Sequence, residues 1–127
     1  MQEQMQNSRD TTDPIIEFTH VPAYGSFDKL IGIARGIDPE QARIAVYIRV
    51  HGLWWTKPYW NAPLTPIAAD GSFSVNITTG GRDEQAVEIV AFLFPADYQP
   101  RSLRGDPDLP DELSENALNQ LAVSRTP

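Results

Sequence analysis

Positions 54 to 60 read Trp54-Trp55-Thr56-Lys57-Pro58-Tyr59-Trp60, a segment that gathers all three tryptophans of the chain and one of its four tyrosines. Such a cluster can bind carbohydrate, because the C–H face of a pyranose stacks on flat rings while polar neighbours bond its hydroxyls. Indole adds an N–H donor that seeks a polar partner or water. Trp54, Trp55, Lys57, Tyr59, Trp60 and Asn61 are therefore the candidate ligand-binding residues. In an extended segment Trp54, Thr56 and Pro58 share one face, and Trp55, Lys57 and Tyr59 share the other. One aromatic set can then fill a core while the second faces outward. The opposing reading needs no ligand, since sandwich domains also use tryptophan to fill the interior or to shield a sheet edge.

Other chemistries find little support. The chain has no cysteine, which excludes disulfides, thiolate nucleophiles and zinc–thiolate sites. His20 and His51 are its only histidines and lack metal-ligand spacing. No Gly-X-Ser-X-Gly nucleophile elbow occurs. Glycoside hydrolysis needs two carboxylates facing one cleft, and the acids here fall in turns. Asp106, Asp108, Asp111 and Glu112 form the densest acidic patch and could offer oxygen ligands to calcium. A solvated turn leading into an acid-rich first helical turn accounts for them better, and the EF-hand pattern is absent. The expectation is no catalytic residue, no metal and no cofactor; an enzyme would have to recruit acids such as Asp83, Glu84 or Asp106. Asn76-Ile77-Thr78 is an N-glycosylation acceptor triplet, relevant only in a eukaryotic secretory setting.

The bulk properties narrow the partners. A length of 127 residues suits one domain, and 41% hydrophobic with 21% charged residues is a globular mixture. Seventeen acids against ten bases give a net charge of −7, which opposes nucleic acid and anionic lipid. A neutral glycan or a partner protein domain fits better, and self-association is compatible with either. No apolar run approaches the ~18 residues of a membrane span, so no membrane insertion is expected. Residues 1–13 (MQEQMQNSRDTTD) are polar and lack the apolar stretch of a signal peptide, so they are expected to be a flexible leader ahead of a single domain over 14–127.

These residues need a scaffold, and the patterning predicts strands. Residues 43–51 alternate, with Ile44, Val46, Ile48 and Val50 on a core face and Ala45, Tyr47, Arg49 and His51 on a mixed, half-exposed face. Residues 86–95 are apolar enough to be covered on both faces. Residues 15–18 suit an edge strand, residues 29–37 a strand with a bulge or close approach at its glycines, and residues 63–67 an edge or loop. Ala69-Asp70-Gly71-Ser72 signals a hairpin that returns through residues 72–77. Residues 96–107 read as a surface crossover, residues 109–113 as a short helix start, and residues 121–124 as a closing strand. The expected fold is an all-β, two-sheet antiparallel β-sandwich, immunoglobulin-like, with a short helical turn near the C-terminus.

Residues 46–48 through Gly52, the Trp54–Tyr59 run, Pro63-Leu64-Thr65-Pro66-Ile67, Asp70-Gly71-Ser72-Phe73 and Ile77-Thr78-Thr79-Gly80-Gly81 together resemble a small β-sandwich module of bacterial secreted proteins, often found beside polysaccharide-active enzymes. The resemblance implies an accessory, carbohydrate-binding-like or spacer role and an extracellular parent protein. Two functional readings follow. In the first, a non-catalytic module stacks a neutral glycan on the Trp/Tyr-rich surface. In the second, a structural or protein-interaction domain uses the same aromatics as core or interface.

Overall fold

Period-2 alternation of β-branched and aromatic residues, punctuated by Gly, Pro, Asp and Asn, sets where this chain extends and where it turns. The structure, a computed structural model, describes residues 13–127. In chain order they form β1 (Ile15–His20), β2 (Leu30–Arg35), a 3-10 turn (Pro39–Gln41), β3 (Ala42–Val50), β4 (Leu53–Lys57), β5 (Leu64–Thr65) and β6 (Ser72–Val75). A second 3-10 turn (Asp83–Gln85), β7 (Glu88–Pro95), β8 (Arg104–Asp106), α1 (Asp111–Asn116) and β9 (Asn119–Ser124) complete them. The expected leader, apart from Asp13, lies outside the described residues. No helix among them is long and apolar enough to cross a membrane.

The strands form two antiparallel sheets. The smaller has the order β1-β2-β6, and the larger β9-β7-β3-β4-β8, with β5 paired to the start of β3. This is the expected all-β sandwich, and the placing of β1, β2 and β6 opposite β9, β7 and β3 is immunoglobulin-like. The hairpin signal at 69–72 does form a tight turn, with Gly71 N–H donating to the Ala68 carbonyl at 2.8 Å. Its two arms diverge, however. β5 belongs to the larger sheet and β6 to the smaller, so the turn carries the chain across the sandwich.

Between the sheets, Ile44, Val46, Ile48 and Val50 of β3 pack with Ile89, Ala91 and Leu93 of β7 against Ile16, Leu30, Ala34, Phe73 and Val75. The predicted core face of β3 is therefore the observed one. In β2, a Cβ on Gly32 would stand 2.5 Å from the Phe73 ring and 2.6 Å from the Glu17 carbonyl oxygen. The glycine makes room for that ring, and β1 bulges between Phe18 and His20 opposite it.

The other face of β3 departs from expectation. Ala45 and Tyr47 are buried rather than half-exposed, together with Phe92 and Phe94 of β7. Residues 96–118 are more than a surface crossover. They supply β8 to the sheet edge and fold Leu103 and Leu113 over this face, closing a second apolar cluster that includes Trp54. The Tyr47 hydroxyl donates to the Arg101 carbonyl at 2.7 Å, and burial, reinforced by Tyr98 and Glu112, pushes its pKa well above the ordinary phenol value. The mixed look of this face came from Arg49 and His51, which lie near the open end of the strand, where Arg49 pairs with Glu88 at 2.7 Å. At that same end Arg125, just past β9, donates to the carbonyls of Ala86, Pro22, Ala23 and Glu84. Arg125→Met keeps the aliphatic stem and removes the donors. It is expected to cost about 1–3 kcal/mol, because buried carbonyls lose their partners, and the midpoint of urea unfolding measures it.

Candidate ligand-binding groove

The larger sheet is wider than the smaller one, and the site lies in the difference. β1 stands over β9 and β7, with Ile16 N–H donating to Asn119 Oδ1 at 3.1 Å, and the smaller sheet has only three strands to set against the β9-β7-β3-β4-β8 order. The inward side of β4 and its neighbour β8 therefore extends past the smaller sheet. Leu53, Trp55 and Lys57, alternate residues of β4, line a groove of about 440 Å³ there. Residues 79–83 form one wall, joined to Pro58 by the Thr79 hydroxyl, and Tyr59, Trp60, Leu103 and Arg104 complete the lining as an aromatic lip.

Local chemistry sets each element. His51 and Gly52 both take positive φ, 51° and 82°, which makes a tight two-residue hairpin between β3 and β4 and brings His51 to the rim. His51 Nε2 lies 3.0 Å from Gln85 Oε1. Trp55 rests against β8 where that strand has a glycine. A Cβ on Gly105, whose φ is +94°, would come within 3.2 Å of the indole, and the β4–β8 register slips at this point. Beyond the cis Lys57–Pro58 peptide, Tyr59 and Trp60 leave the strand in a turn closed by Ala62 N–H donating to the Tyr59 carbonyl at 3.0 Å. Ser102 Oγ donates to the Trp60 carbonyl, and the Arg104 guanidinium lies 4.6 Å from the centre of the Trp60 ring, a cation–π contact. Even so, Tyr59 and Trp60 are each 52% exposed.

Under the aromatics sits an ion pair. Lys57 Nζ donates to Asp83 Oδ2, with both side chains only 9% exposed. The ammonium also donates to Thr79 Oγ1 at 2.9 Å, and that hydroxyl donates to the Pro58 carbonyl at 2.7 Å. Asp83 Oδ2 further accepts from the backbone N–H groups of Thr79 at 3.0 Å and Gly80 at 3.1 Å. One carboxylate oxygen thus ties the wall to β4. A charge pair this far from water needs the extra hydrogen bonds it has here.

Of the six candidate residues, Trp55, Lys57, Tyr59 and Trp60 come together in the groove lining. Trp54 does not; it is buried on the opposite face with Tyr47 and Leu103. Asn61 is exposed and stands outside the lining. Lys57 lines the groove chiefly as the partner of Asp83. Sequence reasoning weighed Asp83 only as a possible catalytic acid and passed over Arg82 and Arg104, which nothing local in the chain links to the tryptophans. Among the described residues, no three His, Asp or Glu side chains come together as a metal site.

Fold and groove define the class: an immunoglobulin-like β-sandwich with an aromatic groove where the larger sheet overhangs the smaller. A scan against protein-family models, a search of curated proteins and a search of solved structures each returned no match for the chain.

Proposed function

We propose that the domain is a non-catalytic, carbohydrate-binding-like module that stacks a sugar ring on the groove aromatics. The supporting observation is the convergence of Trp55, Tyr59 and Trp60 on one groove, with the last two half exposed. An exposed indole beside a tyrosine is costly to leave in water without use, and it offers a flat apolar face with polar edges. The groove volume falls within the ~300–1,000 Å³ of small-molecule sites. Asp83, the acid of the lining, is held by Lys57 and two backbone amides, which suits a structural carboxylate better than a proton donor. The resemblance to modules that accompany polysaccharide-active enzymes points the same way and implies an extracellular setting.

The test is a fluorescence titration of soluble oligosaccharides, with pull-down on insoluble polysaccharides, across single alanine variants. Wild type is expected to bind weakly, with Kd about millimolar to micromolar, because an open platform leaves most hydroxyls hydrated. Trp60→Ala is expected to abolish binding while leaving the melting temperature nearly unchanged, since an exposed ring fills no cavity. Trp54→Ala should do the reverse and destabilise the fold without belonging to the binding surface. If no saccharide alters the wild-type fluorescence, the glycan reading fails.

An interaction domain is the second reading, and one observation favours it. Phe27 is 69% exposed on the loop whose carbonyl accepts from Thr78 Oγ1, beside the groove wall. Concentration-dependent self-association lost in Phe27→Ser would support that reading.

A further inference from the structure

Charge is unevenly distributed along this chain. Acids outnumber bases seventeen to ten overall, yet the groove lining holds three bases, Lys57, Arg82 and Arg104, and one acid, Asp83. Lys57 and Asp83 neutralise one another, so two positive charges remain, both guanidinium groups. The net charge of the molecule, which favours a neutral ligand, is not the charge the ligand meets.

The protein itself answers its other described arginines. Arg35 pairs with Glu17, Arg49 with Glu88 and Arg101 with Glu112. Arg43 and Arg125 donate to backbone carbonyls. Among the described residues, the side chains of Arg82 and Arg104 have neither a carboxylate nor a carbonyl acceptor, and both line the groove. The Arg104 guanidinium lies over the Trp60 ring, 4.6 Å from its centre, and a cation–π contact of this kind needs no N–H acceptor. Planar guanidinium edges match a carboxylate, which can accept two parallel hydrogen bonds.

We propose that the groove binds an acidic saccharide, a run of uronic-acid residues whose ring stacks on Tyr59 and Trp60 and whose carboxylate is bound by Arg82 and Arg104. The inference rests on the glycan reading above and gives its ligand a charge. The aromatic lip supplies stacking, which is indifferent to charge, and the two arginines supply selection for the acid over its neutral counterpart. The negative surface elsewhere limits the attraction to this spot, since charges further away than the ~8 Å screening length contribute little at physiological salt.

The experiment uses the full chain and oligomers of galacturonate, mannuronate and glucuronate. Each is tested as the free acid and as the methyl ester, which keeps the ring and removes the charge. Sulfated and neutral oligosaccharides form the remaining arms. Tryptophan fluorescence and calorimetry read binding, and thermal melts confirm that Arg82→Gln and Arg104→Gln remain folded, both side chains being exposed. At least one uronate is expected to bind about tenfold more tightly than its ester, the scale of a charge-assisted pair. That advantage should shrink as salt rises. Each arginine variant should lower affinity for the acid severalfold and affinity for the ester by less, so that the preference for acid over ester falls. Esters or neutral glycans that bind as well as the acids would overturn the inference and leave the glycan reading standing. So would arginine variants that match wild type towards the acid. A preference for sulfated chains over every uronate overturns the assignment to a carboxylate. Absence of binding to every saccharide overturns both the inference and the reading beneath it.

Discussion

Asp83→Ala is expected to destabilise the domain by about 3–5 kcal/mol, the usual result of leaving one partner of a buried pair alone. The substitution strands the Lys57 ammonium, whose side chain is only 9% exposed, with Thr79 Oγ1 as its remaining acceptor. It also removes the acceptor of the Thr79 and Gly80 amides. In a domain of this size the loss corresponds to a fall in melting temperature of roughly 10–25 °C. Replacing both members, Lys57→Met with Asp83→Leu, should cost less than Asp83→Ala alone, because no unpaired charge is left behind. The same variants report on the groove. With its anchor gone, the wall at residues 79–83 is no longer tied to β4, so ligand-induced fluorescence changes should weaken even where the protein stays folded. A melting temperature within two or three degrees of wild type for Asp83→Ala would show that water reaches this pair freely.

Ile48→Ala is the second large effect, expected at about 2–5 kcal/mol in chemical denaturation. Ile48 is fully buried at the centre of β3, directly opposite Ile89 on β7 and Trp55 on β4. Its loss opens a void between the sheets that rigid strands on both sides cannot collapse to fill. Ile31→Ala offers a comparison, since Ile31 is 38% exposed on the smaller sheet and removes less buried area. That substitution should cost well under half as much. Equal costs for the two would mean that the inner face of β3 does not carry the core.

The two effects differ in how far they could be foreseen. Ile48 stands in a strand whose alternation is complete within nine residues, Ala42–Val50, so its inward direction is a local property of the pleat. Asp83 bonds Lys57 across 26 positions, and nothing near either residue announces the other. A still longer separation in the chain hides Arg104 from Trp60. Mixed faces misled for a related reason. Tyr47 and Arg49 share a face and look alike in period, yet one is buried and the other half exposed because residues 96–118 cover only part of the strand.

What the sequence determined by itself is therefore the part written in short-range pattern: the all-β class, the core face of β3, the doubly covered β7, the turns at Gly52 and Gly71, and the clustering of tryptophans. Alternation also separated Trp54 from Trp55, because neighbouring side chains on a strand must point to opposite faces. It could not say which face would be roofed. That was decided by two tertiary facts: the long connection from β7 to β9, which buries Trp54 beneath Leu103, and the narrow second sheet, which leaves Trp55 at an overhang. Both depend on contacts between segments far apart in the chain. Their free energy comes from area buried across the whole sandwich, which no local pattern encodes.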